Sequence, residues 1–149
     1  MNARPWASVA KWCLVLFMRF EFLIPRRPVS LQTKNKKNLQ AWKSFVQAEA
    51  AKTWVGHLSS GVDIHLTLVY LYDTDPVDTD NIIKPIQDAL VGLVYDDDLL
   101  ITDVESHRRP LSGIFDVALC PNLLLYGLTL GQEFVYVKVC YAEALESYL

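Results

Sequence analysis

Three cysteines in 149 residues, Cys13, Cys120 and Cys140, stand far apart and never in a CxxC spacing. That pattern argues against a zinc knuckle and against a disulfide framework, and it suits a reducing cytoplasm. Glycine is scarce at six residues, and no glycine-rich phosphate-binding loop occurs. No internal repeat or low-complexity tract is present either. The apolar run Trp12–Met18 is short. Lys11 separates it from Ala7–Ala10, no A-x-A cleavage pattern follows, and Arg19 and Glu21 come directly after. Neither a secretion signal nor a membrane span is expected from it.

What is present is the composition of one folded domain. Hydrophobic residues make up 52% and charged residues 21%, near the average for globular chains and far from that of disordered ones. Patterning that reads as a domain covers residues 19–149, and residues 1–18 are expected to be an extension of open role. The net charge of −3 conceals a strong asymmetry: residues 1–60 hold ten of the fourteen Lys and Arg with two acids, whereas residues 61–105 hold eleven acids and one basic residue, Lys84. A basic arm before an acidic centre suits a protein that attracts a polyanion with one part and holds cations with the other.

Period-two alternation predicts strands at Arg19–Ile24 and, most clearly, at Val62–Tyr72, where Val62, Ile64, Leu66, Leu68, Tyr70 and Tyr72 share a face. Between them, Pro25–Lys37 reads as a basic loop. An amphipathic helix is predicted over 38–54, with Leu39, Trp42, Val46 and Ala50 on one side. A second helix opens on carboxylates near Asp80, carries Ile82, Ile83, Ile86, Ala89 and Leu90, and ends at Gly92; Pro85 is expected near enough to its start to cost nothing. Leu99–Val104, Gly113–Leu119 and Glu133–Tyr141 are further strand candidates. The Leu-rich stretch between Pro121 and Gly131 has no readable period.

Asp78-Thr79-Asp80 leaves a strand end in extended backbone, so its two carboxylates fan toward one pocket, and Asp96-Asp97-Asp98 can add a third. Magnesium, a hard ion that keeps several waters and takes one or two carboxylates plus phosphate oxygens, suits that set. Helix capping by Asp80 and Asn81 is the plainer alternative. Lys84, four residues after Asp80, shares its helical face and can reach a phosphate, with Asp88 one turn further to hold it; a surface ion-pair ladder is the competing reading.

The run Asp78-Thr79-Asp80-Asn81-Ile82-Ile83-Lys84, then Asp88-Ala89-Leu90, Gly92 and Tyr95-Asp96-Asp97, resembles the signature of the RusA family of Holliday-junction resolvases. The resemblance covers most of residues 19–105. It implies an α+β fold, a single small domain with a mixed or antiparallel sheet packed on two main helices. It also implies Mg²⁺, with Mn²⁺ a substitute, bound by Asp78, Asp80 and Asp97, and Lys84 as a catalytic or phosphate-contacting lysine. Asp96 and Asp98 beside Asp97 leave open which acid of the three takes that role. A homodimer acting on four-way DNA junctions by paired phosphodiester hydrolysis is the implied activity. Arg26, Arg27, Lys34, Lys36, Lys37 and Lys43 are the residues expected to meet the DNA backbone, with Lys52 near them. Leu99 stands where family members commonly carry Gln, which bears on junction preference.

Two other motifs fail. A calcium loop starting at Asp73 would put Asp78 where glycine is needed and Lys84 where a bidentate Glu belongs. A phosphatase D-x-D would sit at the end of an apolar strand, not beyond a long polar turn. The rival of a different class is a non-catalytic module that holds branched DNA through its basic arm.

Overall fold

Alternation carries the sheet. In Ile64–Tyr72 (β2), Ile64, Leu66, Leu68 and Tyr70 are wholly buried on one face, as a pleated strand with one face on a core requires. The computed structural model describes residues 18–58 and 61–149. Within them β1 (Arg19–Ile24), α1 (Lys36–Ala51), β2, α2 (Thr79–Leu90), β3 (Ile101–Pro110), α3 (Asn122–Leu128) and β4 (Phe134–Tyr141) follow in that order. Short 3₁₀ turns occupy Asp98–Leu100 and Leu145–Tyr148. Apart from Met18, the expected extension 1–18 lies outside the described residues.

The four strands form one sheet in the order β1-β4-β2-β3. β4 is antiparallel to both neighbours, while β2 and β3 are parallel. Parallel strands need a crossover, and α2 supplies it. The fold is α+β with a mixed sheet, as expected. Helices α1 and α2 cover one face. Trp42, Val46 and Ala50 of α1 and Ile82, Ile86, Ala89 and Leu90 of α2 pack there on Phe20, Phe22 and Ile24 and on Val135, Val137 and Val139. Each large side chain so buried contributes about 1.5–3 kcal/mol. Asn35 starts α1, its side-chain oxygen accepting from Asn38 N at 3.0 Å. Among the described residues no helix is long and apolar enough to cross a membrane.

A third helix and a missing strand depart from the sequence pattern. The stretch with no readable period forms α3, whose Leu124 joins Leu71, Phe134 and Tyr136 in a small cluster on the other sheet face. Gly127 of α3 lies against the Phe134 ring, where a Cβ would stand 2.5 Å from a ring carbon. Gly113–Leu119 is not a strand. Gly113 N donates to Pro110 O at 2.9 Å, Leu119 N to Asp116 O at 3.1 Å, and the Asp116 carboxylate accepts from Ala118 N at 3.0 Å. Local side-chain bonds of this kind compete with a ladder, and Ile114, Val117 and Leu119 stay exposed. The third expected strand exists but runs later and longer than Leu99–Val104, as β3. Among the described residues no strand pairs with its outer edge, where polar residues are the norm.

Pro85 also departs from expectation. Because α2 begins at Thr79, Pro85 lies inside the helix, and the carbonyl of Asn81 loses the amide that would have bonded it. Leu31 N takes that carbonyl instead, at 3.0 Å. The proline thus leaves open the attachment point by which the basic loop is pinned to α2.

Candidate active site

Asp78 is the residue before the first turn of α2, in extended backbone at φ −64° and ψ 142°, yet its carboxylate makes no capping bond. Asp80 and Asn81, the residues expected to cap, lie inside α2 instead, and the capping position belongs to Asp78. Its Oδ1 accepts instead from Arg108 Nη1 of β3 at 3.2 Å, and the side chain is 70% exposed. The same guanidinium nitrogen reaches Val77 O at 3.3 Å, and Ser106, two residues earlier on the same face of β3, donates its hydroxyl to Thr79 O at 3.0 Å. β3 thereby grips three consecutive residues around Asp78. Asp80, in the first turn of α2, is exposed and makes no hydrogen bond or ion pair among the described residues. A negative charge there is favoured by the helix dipole.

Lys84 lies one turn beyond Asp80. It donates to Asp88 at 2.8 Å and to Asp98 across the chain. Those two carboxylates, Asp88 first, push its pKa up to about 12, so it is an ammonium at any working pH. The lysine holds the Asp98 carboxylate below its usual range. Asp97 is committed differently: its Oδ1 accepts from Leu99 N at 2.9 Å and so starts the 3₁₀ turn. The structure brings Lys84 to Asp98, and Asp97 beside that pair.

The turn that carries these acids is braced from behind. Gly92, at φ +83°, takes a conformation that favours glycine, and its N donates to Tyr95 O at 2.8 Å. Leu58 N donates to Val94 O at 2.8 Å and Asp96 N to Leu58 O at 3.1 Å. His57 places Nδ1 at 3.2 Å from Leu93 O and Nε2 on the Asp96 carboxylate. Both neighbours are acceptors, so the ring must donate from both nitrogens. The Asp96 bond and then the Leu93 carbonyl raise its pKa accordingly.

The basic residues divide. Lys34, Lys36 and Lys37 are exposed, the last two in the first turn of α1, where a cation is unfavourable to the helix itself. Arg26 lies over the Phe45 ring, 3.8 Å from its centroid. Arg27 is tied down: its Nη1 meets Thr74 O at 3.0 Å and Glu133 Oε1 at 3.2 Å. Lys43 joins α1 to α2 through Asp88 at 3.1 Å. Residues 25–31 run beside 73–81 through the Arg27 bonds and the Leu31 bond. An open groove of about 1210 Å³ lies at one end of that pair, with Arg26, Arg27, Asp73 and Thr74 on one side and Ser112, Gly113 and Glu133 on the other, and none of Asp78, Asp80, Lys84 and Asp97 lines it.

Sequence reasoning missed Arg108 and His57. The one available signal for Arg108 was its alternation with Ser106 in a strand that follows the acids. As for a metal, the donors here are carboxylate oxygens only, which fits a hard divalent cation in kind. Among the described residues no three carboxylate, imidazole or thiol groups stand close enough to share one ion. One or two carboxylates suffice for magnesium, and Asp80 and Asp78 are the two not spent on capping. A family model described as Endodeoxyribonuclease RusA matches residues 24–113, a span that includes the basic loop, α2, the three aspartates and Arg108. No curated protein matches the chain.

Proposed function

Because the chain belongs to the RusA endodeoxyribonuclease family, we propose that it resolves four-way DNA junctions by paired, magnesium-dependent phosphodiester hydrolysis. The observation that supports this most is the start of α2: a carboxylate in capping position that does not cap, a second without a partner, and an ammonium one turn on. Structural acids would be spent on the helix. In this reading Asp78 and Asp80 hold the ion, Asp97 or its neighbour Asp98 would join them only where the 96–98 turn closes on it, and Mn²⁺ substitutes for Mg²⁺. Such an ion, when bound, lowers the pKa of a water and neutralises charge on the phosphate.

The chain's own residues then have distinct work. Lys84, always charged, meets a non-bridging phosphate oxygen, and Asp88 keeps it from swinging away. Lys34, Lys36, Lys37 and Arg26 follow the backbone of one DNA arm, an attraction that falls steeply with salt. Arg27 and Lys43 act by holding the loop and α1 against the site rather than by meeting DNA. Two symmetric cuts call for two sites related by a two-fold axis, so the active unit is a homodimer. The cytoplasm is the expected compartment.

The test is cleavage of a synthetic four-way junction, beside linear duplex and single strand, in Mg²⁺ and in EDTA, by wild type and Asp80→Asn. Paired nicks that need both metal and Asp80 are expected. Tight junction binding with no nicks in Mg²⁺ would sink the proposal and favour a non-catalytic branched-DNA module.

A further inference from the structure

Among the described residues Arg108 is the cation within ion-pair distance of Asp78. Its guanidinium stands at 3.2 Å from Asp78 Oδ1 and 3.3 Å from Val77 O, on a strand whose Ser106 separately fixes Thr79 O. The backbone around Asp78 is therefore held without the ion pair. The arginine is about one-third exposed and Asp78 largely so, which leaves the pair free to part. Arg108 contacts Oδ1 alone, but its charge opposes a divalent ion on either oxygen of the same carboxylate, so the two cations compete for Asp78.

We propose that Arg108 is an exchangeable counter-ion: it occupies Asp78 in the free protein, yields it to the divalent cation, and then binds the DNA phosphate beside that ion. The inference rests on the metal reading given above. Arginine suits the second half of the task, since its planar fork matches phosphate oxygens in pairs and never loses its charge. Parking it on Asp78 also keeps the exposed acids from repelling DNA before an ion arrives. In the free protein Arg108 touches Asp78 and no reacting atom, so it is a positioning residue there, and its contact with DNA is read from cleavage.

The experiment titrates Mn²⁺ into DNA-free wild type, Arg108→Ala and Arg108→Lys by calorimetry and measures junction cleavage by the same proteins, with thermal unfolding in EDTA to establish that each is folded. Arg108→Ala is expected to bind Mn²⁺ more tightly, by up to about fivefold, because an exposed ion pair no longer competes. Its kcat/KM is expected to fall about a hundredfold, as when one preorganised donor to a developing anion is lost. Arg108→Lys, which keeps the charge without the fork, should restore wild-type Mn²⁺ affinity and only part of the cleavage. Mn²⁺ affinity that is unchanged or weaker in Arg108→Ala overturns the proposal while leaving the metal site standing. Wild type that takes up no Mn²⁺ overturns the metal reading, and the counter-ion with it.

Discussion

The carbonyl of Asn81, inside the helix that carries the candidate acids, accepts the backbone N–H of Leu31 at 3.0 Å. Pro85 is the reason that it can, since the helix has no amide at that position to offer. One imino acid thus fixes the distance between the basic loop and the carboxylates. Pro85→Ala restores a competing amide. Hydrogen exchange at Leu31 is expected to speed up about fivefold, the worth of one ordinary hydrogen bond. Exchange as slow as in wild type would mean that the loop is held by other contacts alone.

Asp97 starts the 3₁₀ turn and is proposed to serve the metal, two roles that one substitution separates. Asp97→Asn keeps an oxygen able to accept from Leu99 N, so the 3₁₀ turn should survive and the unfolding midpoint should barely move. Cleavage is expected to fall about a hundredfold or more, given that even outer partners of a bound metal are worth about 10–100-fold. Should cleavage persist in Asp97→Asn and vanish in Asp98→Asn, the ligand is the acid that Lys84 touches.

Lys36 and Lys37 sit where they weaken their own helix, with no acid in its first turn to balance them. Replacing both with alanine should leave thermal stability equal or slightly higher. The slope of log affinity against log salt for junction binding should shrink by about 1.8. An unchanged slope would take these two lysines off the DNA path.

Gly127→Ala tests the smaller cluster. The new methyl meets the Phe134 ring well inside contact distance, and overpacking of this kind costs about 1–3 kcal/mol. Denaturant unfolding should show that loss with an unaltered dependence on denaturant. A neutral result would mean that α3 can slide on β4.

His57 gives a pH dependence with a definite sign. Its folded pKa is raised by Asp96, so the stabilisation is fully present below the ordinary histidine value near 6.5 and is lost as pH rises through the folded value. In EDTA, the unfolding midpoint of wild type should exceed that of His57→Gln at pH 5.5, and the gap should close by pH 8.5. A gap that widens with pH would assign His57 a neutral packing role.

Legibility followed periodicity. β1, β2, β4, α1 and α2 could be read because each has one face on a core, and that face repeats every two or every 3.6 residues. α3 could not, because Leu123, Leu124 and Leu125 are consecutive and only Leu124 is fully buried. β3 was read short because half of it lies on a free edge, where polar residues are the norm. Asp78, Asp80 and Lys84 were legible as a spacing on one strand-to-helix junction. Which of three consecutive aspartates meets Lys84 was not, since that depends on the turn Asp98–Leu100 and not on residue type. The Arg108–Asp78 pair joins residues thirty apart in sequence, a proximity created by the parallel ladder of β2 and β3 and by nothing local.

The place of β4 between β1 and β2 has a consequence for the protein while it is being made. β1 and its basic loop meet the β2–α2–β3 unit in the sheet only through a strand that ends at Tyr141. On the ribosome the Leu31–Asn81 and Lys43–Asp88 bonds can already tie the basic loop and α1 to α2, while β1 has no strand to pair with until β4 emerges. The last strand to be synthesised therefore closes the sheet around contacts already made, and the loop gains its full hold only once Glu133 has met Arg27.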